Sequence, residues 1–123
     1  MTITQKQTAS TAEEDLIRSV VTSLEDDKGE DIAVIDLRGR SSIADHIVIV
    51  TGNSSRQVVA MAEHLAEKLK ARHLRVAVEG LGQADWVLLD AGDVVVHLFR
   101  PEVRSYYNLE RMWAPLQTPA AAL

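Results

Sequence analysis

Two apolar segments near the end of the chain, separated by one Ala-Gly pair, constrain the fold more than any other feature. Asp85–Asp90 and Asp93–Arg100 flank Ala91-Gly92, and glycine readily takes the left-handed conformation that a short hairpin loop needs. The pattern therefore predicts a β-hairpin. Val94–Phe99 is apolar on both faces, which predicts a central strand covered on both sides.

Apolar residues at helical spacing predict a first helix at Ala12–Asp26, with Thr11 and Glu14 as a capping box. Ser54 and Gln57 form the same capping pattern before a second helix that runs to about Arg72. A third helical segment, Glu102–Trp113, in one piece or in two short pieces, is predicted after Pro101, because proline suits the first helical position.

Short β-branched runs predict three more strands, at Ile32–Leu37, His46–Thr51 and Leu74–Val78. The resulting order, α-β-β-α-β-β-β-α, predicts a single α/β domain with a mixed sheet and helices on its faces. We expect residues 11–114 to form this domain, between a flexible N-terminal tail at 1–10 and a flexible Pro/Ala-rich tail at 115–123.

The charge of the chain limits the partners that it can bind. There are 13 lysines and arginines against 18 aspartates and glutamates, which gives a formal net charge of −5. Binding to phosphates by counterion release favours a basic surface, so little direct contact with nucleic acid and none with an anionic membrane is expected. A basic protein partner is compatible with this charge.

The 123 residues lack several features, and each absence excludes a kind of site or a class of protein. There is no cysteine, which excludes a disulfide framework, a Cys-based zinc site and a thiol nucleophile. The first ten residues hold no apolar run of the kind that a secretory signal needs, and no apolar stretch approaches the roughly 20 residues of a membrane span. We therefore expect a cytoplasmic protein.

Two patterns suggest chemistry. Thr51-Gly52-Asn53-Ser54-Ser55 joins a strand to a helix, and such a turn either holds an anion or is a capped turn with no ligand, which we favour. Acidic residues and one histidine could form a metal or acid-base site on paper: Asp36, Asp45, Asp90, Asp93 and His97. Their spacing does not support convergence, since aspartate is common beside hairpin loops. We expect no catalytic set, metal or cofactor.

Aromatic residues suggest an interface instead. On the predicted hairpin, Trp86 shares a face with Leu88 and Asp90. If that face is open, Trp86 and Leu88 form an exposed patch of the kind that marks protein interfaces; alternatively a helix covers Trp86. The segment from Phe99 to Trp113 adds arginines and tyrosines, which suit either an interface or packing onto the sheet.

The chain resembles the ribosomal silencing factor family (RsfS, also called the iojap-related family) over Asp31–Trp113. Three blocks carry the resemblance. The first is Ser41-Ser42-Ile43-Ala44-Asp45 with Val48-Ile49-Val50-Thr51-Gly52 and Ser54-Ser55-Arg56-Gln57. The second is Val78-Glu79-Gly80. The third is Trp86–His97, continuing through Phe99–Arg104 to Tyr107, Leu109-Glu110 and Trp113.

The resemblance implies a mixed five-stranded sheet, related in fold to nucleotidyltransferases without their catalytic site. It also implies binding to the large ribosomal subunit through ribosomal protein number fourteen, a block to joining of the small subunit, and lower translation when nutrients are scarce. Members of the family can form homodimers in isolation, so the resemblance also implies that this chain can form a homodimer. One departure is Asp45-His46-Ile47, where the family often has Asp-Tyr-Phe.

We therefore expect a non-enzymatic binding protein that acts by steric exclusion. Seven residues are predicted to contact the partner, with Trp86 and Leu88 as apolar anchors: Trp86, Leu88, Asp90, Asp93, Arg100, Arg104 and Tyr107. The alternative is a nucleotidyl- or phosphotransferase that holds phosphates at Thr51-Gly52-Asn53-Ser54 and magnesium at Asp36 or Asp45.

Overall fold

The computed structural model describes residues 2–39, 42, 44–109, 111 and 117–119. Three helices and six strands follow one another along the chain: α1 (Thr2–Asp26), β1 (Glu30–Asp36), β2 (His46–Thr51), α2 (Ser55–Ala71), β3 (Ala77–Glu79), β4 (Trp86–Asp90), β5 (Val94–Phe99), α3 (Pro101–Tyr107) and β6 (Gln117–Pro119). The predicted order of three helices and five strands is confirmed, and β6 is an addition.

The strands form one mixed sheet in the order β3-β4-β5-β2-β1-β6. The β2–β5 pair is parallel, and every other neighbouring pair is antiparallel. The single α/β domain with a mixed sheet is therefore confirmed. Thr51 and Phe99 are register partners. Because β2 and β5 are parallel, both strands end on the same side of the sheet.

The predicted hairpin of β4 and β5 is also confirmed. Trp86 pairs with Phe99 and Asp90 with Val95, and Gly92 in the loop has a φ of 88°. Val94–Phe99 lies between β4 and β2, with its residues buried on both faces except for the half-buried His97. This strand is the central strand that its sequence predicted.

The two faces of the sheet are covered differently. Helices α1 and α2 pack on one face and, with alternate strand residues such as Val48, Val96 and Leu98, form the larger apolar cluster. The other face carries a smaller cluster, in which Val103 of α3 packs against the sheet: Ala33, Ile35, Leu37, Ile47, Ile49 and Phe99, with Trp86, Val103 and Leu109 at its border. The candidate site lies on this second face.

The predicted start of the first helix is wrong. The helix begins at Thr2 and not at Ala12, so Thr11 lies inside it and not before its first turn. Residues 2–11 contain no glycine or proline, and nothing interrupts backbone hydrogen bonding there. They also lack a periodic apolar face, and the prediction relied on that face and on the capping box of Thr11 and Glu14.

Other elements also differ from the sequence-based expectation, and strand β1 spans Glu30–Asp36 and not Ile32–Leu37. Strand β3 spans Ala77–Glu79 and not Leu74–Val78. Helix α3 ends at Tyr107 because Asn108, with φ and ψ of 47°, takes the left-handed conformation. Strand β6 places part of the predicted C-terminal tail against β1. Proline is tolerated in β6 because that strand lies at the sheet edge. Trp113 lies outside the described residues.

Candidate functional site

Strand β4 presents the predicted anchor residues on the face opposite to α1 and α2. Val87 and Leu89 are fully buried, whereas Trp86 and Leu88 are half-buried and Asp90 is exposed. Successive side chains of a strand point to opposite faces. Trp86, Leu88 and Asp90 therefore share the second face, as the sequence predicted.

The indole of Trp86 lies inside a group of aromatic rings. Its centroid lies 4.9 Å from that of Phe99 and 4.8 Å from that of Tyr107, distances typical of favourable aromatic pairs. Its Nε1–H donates a hydrogen bond to Nδ1 of His97 at 3.0 Å. Phe99 and Tyr107 thus cover part of the indole, and Trp86 as a whole is half-buried, an outcome between the open and the covered alternatives.

His97 supports this ring arrangement and is not a free base. An indole N–H only donates, so Nδ1 of His97 accepts and the proton of the neutral imidazole is on Nε2. Burial lowers the pKa of His97 from 6.5 to about 4, because desolvation disfavours the charged form. His97 is therefore a hydrogen-bonded residue of the sheet, as predicted from its place in an apolar strand.

Two consecutive tyrosines form the outer part of the aromatic group. Tyr107 is 53% exposed and Tyr106 is 82% exposed, and their rings meet almost at right angles with centroids 5.1 Å apart. Tyr106 is missing from the predicted contact residues. Neighbours on a helix point about 100° apart, so the Tyr-Tyr pair itself indicated that both rings could not pack onto the sheet.

The two predicted arginines hold α3 in place. Arg104 donates to the Thr51 hydroxyl at 2.7 Å, which ties the helix to the end of β2. The Arg100 guanidinium pairs with Glu102 at 3.0 Å, and its backbone N–H donates to the Asp85 carbonyl. The side chain of Arg104 therefore ties α3 to the sheet, whereas the side chain of Arg100 pairs with the helix that begins beside it.

The two predicted acidic contacts lie at the other end of the hairpin. Asp90 and Asp93 are exposed beside its loop, where the Asp90 carboxylate accepts the Gly92 N–H at 2.8 Å. Asp90 lies four positions after Trp86, so the two ends of β4 are roughly 13 Å apart. The structure therefore divides the predicted contacts into an aromatic end and an acidic end, with Leu88 between them.

The turn between β2 and α2 caps the start of α2 and also contacts the end of α1. Ser54 caps α2 by accepting the Gln57 N–H at 3.1 Å. The Gln57 side chain accepts the Asn53 N–H at 2.7 Å and donates to the backbone carbonyls of Asp27 and Lys28 at 3.0 and 2.9 Å. The motif therefore joins the N-terminus of α2 to the C-terminus of α1.

The carboxylates of the alternative, enzymatic reading lie far from this turn. Asp36 pairs with His46 at the start of β2, whereas Thr51 ends that strand. The two ends of a six-residue strand are roughly 17 Å apart. The Arg38 guanidinium, 2.7 Å from Asp36, lowers the pKa of that carboxyl to about 2. No group of three His, Cys, Asp or Glu side chains that could hold a metal occurs in the part of the chain that the structure describes.

The residues that depart from the family pattern are buried. His46 is 8% exposed and Ile47 is 9% exposed, and Ile47 belongs to the smaller apolar cluster. Burial lowers the pKa of His46, which favours the neutral imidazole in this position. His46-Ile47 therefore contributes to packing in this chain and offers little surface to a partner.

No helix among the described residues is long and apolar enough to cross a membrane. The fold and the site together define a small α/β protein with a mixed sheet. The second face of this sheet presents an aromatic surface between β4 and α3.

A family model described as "Ribosomal silencing factor during starvation" matches residues 9–122. The chain belongs to this family of ribosomal silencing factors. It is 58% identical over 110 residues to the ribosomal silencing factor of Zymomonas mobilis, covering 89% of this chain and 83% of that protein.

The fold is shared with a solved structure. A crystal structure of a protein from Chromobacterium violaceum has a TM-score of 0.79 and 39% identity, covering 82% of this chain and 85% of that one. A more distant relative is the mouse protein named "Mitochondrial assembly of ribosomal large subunit protein 1". It is 35% identical over 101 residues, which cover 79% of this chain and 44% of that protein.

Proposed function

We propose that this chain binds the large ribosomal subunit through ribosomal protein number fourteen and prevents the small subunit from joining. Its bulk occupies space that the small subunit needs, so translation falls under nutrient limitation without any chemical step. Membership of the ribosomal silencing factor family supports this proposal, and the name of the mouse relative includes the large ribosomal subunit. The protein would act in the cytoplasm.

The observation that carries the proposal is the exposed aromatic end of the site. Tyr107 is 53% exposed while its ring packs 4.8 Å from the half-buried Trp86. Such rings are rigid and bury a large area on binding, and Trp and Tyr are enriched among residues that dominate binding energy. Leu88 extends this apolar surface along β4.

The charge of the chain supports a basic protein as the partner. The formal net charge is −5, and Asp90 and Asp93 are exposed at the acidic end of the site. Complementary charge speeds association and orients the partners. In this arrangement Trp86, Leu88 and Tyr107 anchor the partner, Asp90 and Asp93 face its basic groups, and Arg100 and Arg104 keep α3 in position.

Co-sedimentation with purified large subunits tests the proposal. Truncating a central anchor costs about 2 kcal/mol or more, so Trp86→Ala should lower binding by roughly thirtyfold. Because Trp86 also packs on Phe99, Tyr107→Ala provides a second variant whose side chain is mostly exposed. Glu67→Gln on α2, on the other face of the sheet, is the control and should bind normally.

Two further measurements locate the effect. A pull-down with the isolated ribosomal protein shows whether protein contacts suffice, and a sucrose gradient of mixed subunits shows whether the chain blocks their joining. Normal binding by folded Trp86→Ala and Tyr107→Ala variants would exclude this surface. Loss of subunit blocking in both variants, with Glu67→Gln unaffected, is the expected result.

A further inference from the structure

A groove lies beside Trp86, between the start of β4 and the exposed side of α3. Its volume is about 490 Å³, and its walls include three aromatic rings, of Trp86, Tyr106 and Tyr107, and two carboxylates, of Asp85 and Glu102. The groove is open to solvent at the exposed tyrosines. The groove therefore presents both aromatic faces and negative charge, whereas an apolar group would need only the aromatic faces.

The rings are arranged so that a flat group can contact more than one of them. Tyr106 and Tyr107 are inclined at 78° to each other, and Tyr107 is inclined at 45° to Trp86. Each ring face carries a partial negative charge and attracts a cation placed over it. The perpendicular tyrosines therefore form two walls of a corner that suits a cationic side chain.

The two carboxylates differ in how far they are neutralised. Glu102 already pairs with Arg100, at 3.0 Å. Asp85 is half-buried, and among the described residues its carboxylate takes part in no ion pair. A half-buried carboxylate without a counter-ion is stabilised when a cation binds beside it.

We infer that this groove binds an arginine side chain of the partner protein. A planar guanidinium stacks on an aromatic face and donates two parallel N–H groups to one carboxylate, whereas an ammonium acts as a point charge. Asp85 would accept those hydrogen bonds, and Tyr106 and Tyr107 would contact the plane of the guanidinium. The inference deepens the proposed function and rests on it for the identity of the partner, but the groove itself can be tested without ribosomes.

The test is a titration of the full chain with N-acetyl-arginine amide, followed through the NMR signal of the Trp86 indole N–H. N-acetyl-citrulline amide, which has nearly the same shape without the charge, is the matched ligand. We expect a saturable shift with the arginine amide and binding that is roughly fivefold weaker with the citrulline amide. The signal is assigned with Trp86→Phe, which lacks it.

Three variants locate the binding in the groove. Asp85→Asn removes the charge and keeps the shape, and we expect it to weaken arginine-amide binding roughly fivefold. Tyr106→Leu should also weaken it, and this side chain is 82% exposed, so the fold is retained. Glu67→Gln changes the net charge by the same amount on the other face of the sheet and should leave the titration unchanged.

The outcomes separate this inference from the proposed function. Equal shifts with the arginine and citrulline amides, or an Asp85→Asn titration equal to that of Glu67→Gln, would overturn the groove as an arginine site. If Trp86→Ala still lowered binding to large subunits by roughly thirtyfold, the proposed function would stand without the groove. A titration that behaves as expected, in a chain that fails to bind large subunits, would support the groove and overturn the proposed function.

Discussion

The indole Nε1–H of Trp86 donates to Nδ1 of His97 across the β4–β5 pair, at 3.0 Å. The two residues are diagonal neighbours, because Trp86 is in register with Phe99 and His97 with Leu88. A diagonal pair of this kind contributes to sheet stability through side-chain contact. It also fixes the orientation of the ring that we propose as the main anchor for the partner.

Protonation of His97 should destabilise the fold in mild acid. The pKa is 6.5 for an ordinary histidine and about 4 for His97 in the fold. Between these values the unfolded chain holds a proton that the folded chain does not, so stability is complete above pH 6.5 and falls as the pH approaches 4. The slope from this one group is at most about 1.4 kcal/mol per pH unit, and urea unfolding at several pH values measures it.

His97→Gln is the matched variant for this measurement. Its side-chain oxygen offers an acceptor to the Trp86 N–H and does not titrate in this range. We expect the variant to have a smaller slope between pH 6.5 and pH 4. The slope will not vanish, because burial also lowers the pKa of His46. Identical pH profiles for the variant and the natural chain would exclude His97 as the titrating group.

Loss of the Gln57 side chain should weaken the connection between α1 and α2. Its amide makes three hydrogen bonds to backbone groups on both sides of the turn. Only the bond to the Asp27 carbonyl is part-buried, and water can replace the two exposed bonds, so Gln57→Ala should lower the free energy of unfolding by about 1 kcal/mol. Chemical denaturation measures the change.

Gln57→Glu refines the same test, because it keeps the acceptor for Asn53 and loses both donated bonds. It should therefore be destabilised as well, and the loss would be assigned to the contacts with Asp27 and Lys28. Arg56→Ala, a change at the exposed neighbouring position, is the control. A Gln57→Ala variant as stable as Arg56→Ala would show that the side chain is not needed to join the helices.

The sequence predicted the elements well where one signal was strong. The hairpin followed from Gly92 between apolar runs, and α2 followed from the Ser54 cap and a periodic apolar face. The prediction from the sequence failed where an element depends on contacts with distant residues or on backbone propensity alone. Strand β6 exists through its pairing with β1, which no local pattern around residues 117–119 indicates.

The candidate site shows the same division. The strand alternation that places Trp86 with Leu88 could be read from the sequence. The length of the strand also predicts that Trp86 and Asp90 lie at opposite ends of β4. The contacts of Arg104 with Thr51, and of Trp86 with Tyr107, join residues far apart in the chain. Nothing in the spacing of these residues predicts them, so the structural role of the arginines became clear only in the fold.

Asp90 and Asp93 should govern the rate of association more than the stability of the chain. Both are exposed, and exposed charges steer partners over a distance that salt screens. We expect Asp93→Asn to slow association with large subunits by a few-fold at low salt and to have little effect at high salt. Surface plasmon resonance at several salt concentrations measures both rates, and a change confined to dissociation would contradict the prediction.

Gly80 positions the backbone that carries Trp86, and its replacement should damage the site from a distance. A Cβ at Gly80 would clash with the Trp86 carbonyl oxygen, and the φ of 93° is unfavourable for a residue with a side chain. Gly80→Ala should therefore lower the free energy of unfolding by about 2 kcal/mol or more. Gly82→Ala, where a Cβ meets nothing within 4 Å, is the matched control in the same loop and should be close to neutral. Thermal unfolding compares the two variants, and equal melting temperatures would show that the loop relaxes without moving Trp86.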